Sequence, residues 1–153
     1  ISSSMIRMDL HNGRLDEAAQ KLGHAYSIEG RVVRGKQLGR TLGYPTANIR
    51  LQRKKPALMG IYATWIHGVD DKPIAGVSSL GTRPTVNGRE PLLEAHLFDY
   101  DGDLYGSKIR VEFIRKLRDE IKFDNLDALV VQMDLDAAQA RVVLAQQPLG
   151  ECA

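Results

Sequence analysis

A glycine-rich, basic segment leads into two oxygen-bearing side chains between residues 34 and 48. It reads RGKQLGRTLGYPTAN, with glycines at Gly35, Gly39 and Gly43. Glycine lets a backbone approach a bound anion closely and basic side chains offset its charge, so this segment could wrap a polyphosphate. An ordinary surface turn between two strands has the same composition. Composition alone leaves both interpretations open.

Thr46 and Asn48 follow Pro45 and are two positions apart. Proline fixes its own φ, and in an extended stretch residues two apart point to the same face. A hydroxyl and an amide oxygen on one face, completed by phosphate oxygens and water, suit Mg²⁺. The same side chains could instead hydrogen-bond the backbone where a strand begins. The spacing is therefore compatible with a magnesium–nucleotide site or with a strand entry.

A carboxylate that could perform acid–base chemistry lies in LLEAHLFDY, residues 92–100. Strand alternation puts Glu94 and His96 on one face, opposite an apolar face. A positioned carboxylate can accept a proton from an attacking hydroxyl group. An outward-facing, solvated glutamate gives the same pattern.

The elements that would position these residues are mainly strands. Segments enriched in β-branched residues predict strands at 26–33, 60–67, 73–80, 92–100 and 107–114. Short turns between them, such as 68–72 and 101–103, indicate an antiparallel sheet or a small barrel of about six strands. Helical periodicity returns after Phe123, with Asp124 or Asn125 as N-cap, and predicts one or two helices. Residues 35–44 and 81–91 are interpreted as long loops that carry function.

The overall charge excludes some classes of partner. The 153 residues include 21 basic and 19 acidic side chains, a formal net charge of +2. No large single-sign field is available to hold nucleic acid or an anionic membrane, and no run approaches the roughly 18 apolar residues that span a bilayer. The single cysteine, Cys152, cannot form an internal disulfide, which fits a reducing compartment. We expect a cytoplasmic protein that binds neither nucleic acid nor membrane.

The run LGRTLGYPTAN, residues 38–48, resembles the signature of the riboflavin kinase family, and further family motifs follow in order. They are GTRPTVNG at 81–88, EAHLFDY at 94–100, LYG at 104–106 and LRDEIKF at 117–123. The resemblance covers about residues 26 to 145. It implies a mainly β fold, a six-stranded antiparallel Greek-key barrel with a C-terminal α-helix. It also implies an ATP:riboflavin 5′-phosphotransferase that uses Mg²⁺ and forms FMN and ADP.

The resemblance assigns roles to individual residues. Thr46 and Asn48 are expected to hold Mg²⁺, and Glu94 is expected to be the catalytic base. His96 is not assigned that role, although it shares a face with Glu94. The loop from Gly35 to Gly43 is expected to close over the phosphates. The candidates for nucleotide or flavin binding are Gly35, Lys36, Gly39, Gly43, Tyr44, Pro45, Arg83 and Arg118.

The start of the chain, ISSSMIR, resembles an element near the end of the adenylyltransferase domain of bacterial bifunctional FAD synthetases, with Ser4 where that element has Thr. Residues 14–23 resemble the linker helix that follows it. We therefore predict a remnant of an upstream FMN adenylyltransferase domain plus linker helix at 1–24, a kinase domain at 25–147 and a tail at 148–153. The expected partner is that adenylyltransferase domain, covalently upstream in a parent protein. The chain itself is not expected to convert FMN to FAD.

Two other functions fit a barrel of this kind. A non-catalytic barrel could bind flavin without the reaction, although all the expected reactive residues are present. An oligonucleotide-binding barrel is disfavoured by the near-neutral charge and by the lack of a basic, aromatic strand face. Trp65 and Tyr62 could form a flavin-stacking platform, but a barrel of this size needs large apolar side chains in its core.

Overall fold

The computed structural model describes residues 26–33, 46–51, 58–86, 88–100, 102 and 104–146. Six strands and one helix lie in this part of the chain. The strands β1 to β6 are Ser27–Val33, Ala47–Ile49, Gly60–His67, Ile74–Thr85, Gly88–Leu97 and Lys108–Arg118, and the helix α1 is Leu126–Ala145.

The six strands close into a barrel in the order β1-β2-β5-β4-β3-β6, and every pairing is antiparallel. Consecutive strands β3, β4 and β5 pair as a meander, and β6 returns to lie beside β3. This order is a Greek key. The six-stranded antiparallel Greek-key barrel with a C-terminal helix is therefore confirmed.

Large side chains fill the barrel interior. Tyr62 is fully buried and its ring meets Phe113 edge-on at 5.3 Å. Its hydroxyl group donates a hydrogen bond to the Met59 carbonyl oxygen at 2.7 Å, and burial raises the pKa of Tyr62 to about 12. Trp65 packs outside the barrel, in the cluster beneath α1. Both aromatic residues therefore serve packing rather than a stacking platform.

Helix α1 begins at one of the two N-caps predicted from the sequence. The Asn125 side chain accepts a hydrogen bond from the backbone N–H of Ala128 at 2.8 Å, which satisfies a free donor of the first turn. The inner face of α1 buries Ala140, Val143 and Leu144 against the outer surface of β3, β4 and β6. The structure has a single helix in this region, where the sequence periodicity predicted one or two.

The β4–β5 hairpin is longer than predicted, and the interpretation of residues 81–91 as a loop was wrong. The strands stay paired to their ends, with Pro84 opposite Arg89 and Thr82 opposite Pro91. Prolines and glycines normally interrupt strands, which made this stretch resemble a loop. In the described part of the chain, the ladder to β3 ends at Leu80, so β4 has an open edge beyond it where proline is tolerated.

Gly60 allows β3 to start close to the end of β6. Its φ is 117°, and a Cβ there would lie 2.8 Å from the Arg118 carbonyl oxygen. Gly60→Ala should therefore lower the free energy of unfolding by roughly 2 kcal/mol, measured by urea denaturation. Gly88→Ala is the matched control, since Gly88 also has a positive φ of 140° but open space around the added Cβ. An equal loss in both variants would contradict the close approach.

Candidate active site

Asn48 in β2 and Glu94 in β5 are direct cross-strand partners. Residues directly opposite each other in an antiparallel pair project to the same face, with Cβ atoms roughly 5 Å apart. Ser79 of β4 is the partner of Glu94 on its other side. These three polar residues therefore form a row across β2, β5 and β4, which we call the polar row.

The polar row lies on the outer surface of the barrel. The neighbours of its members along each strand belong to the interior core, and they include Ala47, Ile49, Leu80, Leu93 and Ala95. Since successive residues of a strand alternate between faces, the row must point away from that core. Asn48 is nevertheless only 7% exposed, and Glu94 is half-buried.

Thr46 lies on the same surface. It directly precedes β2 and is half-buried. Continuing the register one residue beyond the Ala47–Ala95 pair puts Thr46 level with His96, on the same face as Asn48. The structure thus brings Thr46, Asn48 and Glu94 to one patch of the barrel surface.

The end of the strand that carries Glu94 is held by α1. Arg141 of α1 donates a hydrogen bond to Asp99 at 3.1 Å, and its guanidinium lies 4.3 Å from the centre of the Phe98 ring. The hydrogen bond and charge of Arg141 lower the pKa of Asp99. The ring of His96 in turn meets Phe98 edge-on at 5.6 Å. The helix therefore braces β5 just beyond its candidate catalytic residue.

Arg118 is separated from Glu94. Their strands lie on opposite sides of the closed barrel, with β4 and β3 between them in one direction and β2 and β1 in the other. The Arg118 guanidinium donates to both carboxylate oxygens of Asp136 on α1, with a shortest distance of 2.7 Å. This contact was missed from the sequence, where Asp136 has the appearance of an ordinary helix-surface acid.

Glu120 reaches the polar row from the segment that follows β6. The Ser79 hydroxyl group donates a weak hydrogen bond of 3.4 Å to Glu120 Oε1. A Cβ at Gly81 would collide with the Glu120 carboxylate, so the glycine leaves the space that this side chain occupies. Sequence reasoning did not single out Glu120, although it lies within the quoted LRDEIKF motif.

Several predicted binding residues cannot be placed on this surface. Arg83 lies in β4 opposite Glu90, towards the end of the β4–β5 hairpin. The remaining six candidates lie outside the described residues: Gly35, Lys36, Gly39, Gly43, Tyr44 and Pro45.

The oxygen groups near the polar row fit a hard divalent cation. In the described part of the chain, no group of three or more His, Cys, Asp or Glu residues could hold a metal ion. A hydroxyl group from Thr46 and an amide oxygen from Asn48 are oxygen donors of the kind that Mg²⁺ takes. Since Mg²⁺ usually keeps water and substrate oxygens as ligands, a partial protein donor set suits it.

The chain matches one protein family along most of its length. The family model described as "Flavokinase: Riboflavin kinase" matches residues 22–144. Two similar proteins are the bifunctional riboflavin kinase/FMN adenylyltransferases of Haemophilus influenzae, 46% identical over 141 residues, and Escherichia coli K12, 45% identical over 141 residues. Both alignments cover 92% of this chain but only 46% and 45% of those proteins. The chain spans about half the length of the curated relatives it matches.

Two solved structures share the barrel. The riboflavin kinase of Trypanosoma brucei has a TM-score of 0.59 and 25% identity, over 80% of this chain and 78% of that one. A Streptococcus pneumoniae protein described as a macrolide-efflux protein has a TM-score of 0.83 and 34% identity, over 92% of this chain and 46% of that one. Among the helices of the described residues, none is long and apolar enough to cross a membrane.

Proposed function

The chain belongs to the riboflavin kinase family, and we propose that it transfers the γ-phosphate of ATP to the 5′-hydroxyl group of riboflavin, giving FMN and ADP. The observation that carries this proposal is the cross-strand pairing of Asn48 with Glu94. Phosphoryl transfer depends mainly on alignment and on neutralising charge. One surface here presents a carboxylate for the proton and an amide oxygen for a metal ion.

Glu94 is the general base of the proposed reaction. It accepts the proton of the 5′-hydroxyl group as that oxygen bonds to the γ-phosphorus, and the bond to the bridging oxygen breaks so that ADP leaves with the electron pair. Its strand pairs with β2 on one side and β4 on the other, which restricts the position of the carboxylate. Fixed alignment of this kind is what an in-line transfer requires.

Thr46 and Asn48 hold Mg²⁺ in this proposal. When bound, the ion neutralises charge on the β- and γ-phosphates. Asn48 is buried in β2 between Val33 of β1 and Glu94 of β5, so its side chain projects from the same face as the proposed base. The glycine-rich loop from Gly35 to Gly43 closes over the phosphates, with Lys36, Tyr44, Pro45 and Arg83 as further nucleotide or flavin contacts.

The kinase is one half of a larger flavin-nucleotide enzyme in this proposal. Support comes from the curated relatives, which are bifunctional and about twice the length of this chain. An FMN adenylyltransferase domain lies covalently upstream in the parent protein, which acts in the cytoplasm. The proposed domain boundaries near residues 24 and 147 lie outside the described residues. The chain by itself forms no FAD.

Incubation with riboflavin, ATP and Mg²⁺, followed by chromatographic separation of the flavins, tests this function. We expect FMN and no FAD, and we expect EDTA to abolish FMN formation because the phosphates then lose their counter-ion. A folded sample that binds riboflavin but forms no FMN would overturn the kinase and support a non-catalytic flavin-binding barrel. Accumulation of FAD would contradict the proposal that the chain by itself forms no FAD.

A further inference from the structure

Asp136 is a buried carboxylate on α1, away from the motifs of the proposed kinase. It is 4% exposed. Arg118 donates to both of its oxygens, and Gln132 donates to Oδ1 at 2.9 Å from one turn earlier in the helix. A buried carboxylate is costly unless it is paired and hydrogen-bonded, and here both requirements are met. The ion pair of Asp136 with Arg118 therefore fixes the helix to the barrel, and we call this contact the joint.

Arg118 extends this joint into the segment that follows β6. Its Nε and Nη2 bind Asp136, while its Nη1 donates to the carbonyl oxygen of Asp119 at 3.0 Å. The same guanidinium lies 5.8 Å from the centre of the Phe123 ring. A single side chain thus connects α1 to both ends of residues 119–123, which we call the post-β6 segment.

The post-β6 segment reaches back to the polar row. Glu120 accepts the hydrogen bond from Ser79, whose cross-strand partner is Glu94. A second contact holds the segment near its start, where Lys116 Nζ lies 2.6 Å from Asp119 Oδ1. Because the segment contacts the row at Ser79, its position affects what can approach Glu94 from the β4 side.

The geometry of phosphoryl transfer distinguishes the two sides of Glu94. The attacking and leaving oxygens lie roughly in line on opposite sides of the transferring group. Asn48 and the proposed metal lie on the β2 side of Glu94, so the nucleotide phosphates lie on that side. As the proposed base, Glu94 contacts the acceptor hydroxyl group, and its side away from the proposed metal is the β4 side, where Ser79 and the post-β6 segment lie.

We propose that Asp136 is a positioning residue for riboflavin: through Arg118 it holds the post-β6 segment against the acceptor side of the polar row. The inference rests on the proposed kinase function. It also changes the role of Arg118, which was expected to contact nucleotide or flavin and serves instead as a tether between α1 and this segment. Loss of the Asp136 charge loosens the segment and weakens riboflavin binding more than ATP binding.

The test is Asp136→Asn, which preserves shape and removes the charge. We expect the KM for riboflavin to rise roughly tenfold while the KM for ATP stays within about twofold, measured well below the Tm of each variant. Asp134→Asn makes the same change at an exposed position of α1 and should leave both constants unchanged. Val143→Ala weakens the buried contact of α1 with the barrel without touching Arg118, and should lower Tm alone.

Each outcome bears on the inference. If Asp136→Asn behaves like Val143→Ala, with a lower Tm and an unchanged KM for riboflavin, the ion pair is merely structural. An equal rise in the KM for ATP would also overturn the assignment to the acceptor side. Should Asp136→Asn fail to fold, Gln132→Ala removes one hydrogen bond to Asp136 and must raise the riboflavin KM in the same direction. Absence of FMN formation by the unmodified chain would instead overturn the proposed function itself.

Discussion

Glu94→Gln should lower kcat for FMN formation by roughly a thousandfold, because glutamine has nearly the same shape but cannot accept the proton of the 5′-hydroxyl group. The fold should survive, since β5 is paired on both sides and the change adds no bulk. The KM values for ATP and riboflavin should change little, because the proposed role is confined to the transition state. Steady-state kinetics with chromatographic detection of FMN measures all three constants.

Glu112→Gln is the matched control for this variant. Glu112 lies on β6 opposite Trp65, and its carboxylate is 3.5 Å from His67 Nε2, away from the polar row. The same chemical change there should leave kcat within about twofold of the unmodified chain. If Glu94→Gln retained a comparable kcat, the assignment of Glu94 as the base would be rejected, and the outward, solvated glutamate would be the correct interpretation.

Asn48→Leu should raise the Mg²⁺ concentration needed for half-maximal activity by roughly a hundredfold, because it removes one oxygen ligand from a site with few protein ligands. Leucine has a similar volume and occupies a position that is already buried, so the unfolding free energy should change less than the activity. The measurement is FMN formation across a Mg²⁺ titration at saturating ATP and riboflavin.

Asn48→Asp tests whether the effect of Asn48→Leu comes from the lost oxygen donor. Aspartate keeps an oxygen donor, so the Mg²⁺ requirement should remain close to that of the unmodified chain. It also places a second carboxylate directly opposite Glu94. If Asn48→Leu left the Mg²⁺ requirement unchanged, the assignment of Asn48 as a metal ligand would be rejected, and Asn48 would be only a buried residue of β2.

Strand periodicity predicted most of the barrel because its strands have one apolar face. Residues 60–67 match β3 at both ends. Strand β2 has only three residues, which is too short for alternation to be recognised, although the sequence did indicate an extended stretch at Thr46 to Asn48. The β4–β5 hairpin was underestimated because proline is tolerated on an open strand edge, and strand edges depend on the whole sheet.

The candidate site could be predicted in its residues but not in its arrangement. Spacing put Thr46 and Asn48 on one face, and alternation put Glu94 on a polar face. Their adjacency depends on the register between β2 and β5, which is set when the barrel closes and has no local signal. The Asp136–Arg118 joint was hidden for a related reason, because an acidic residue on a helix normally indicates a solvated face.

Transfer of isotopic label from ATP to riboflavin is the most direct measurement of the central claim. The unmodified chain is incubated with riboflavin, Mg²⁺ and ATP labelled at the γ-phosphorus, and label is followed into the separated flavin products. We expect one labelled phosphoryl group per FMN formed, and none in FMN made from ATP labelled at the α-phosphorus. Label released only as inorganic phosphate, or recovered entirely in unreacted ATP, would contradict it.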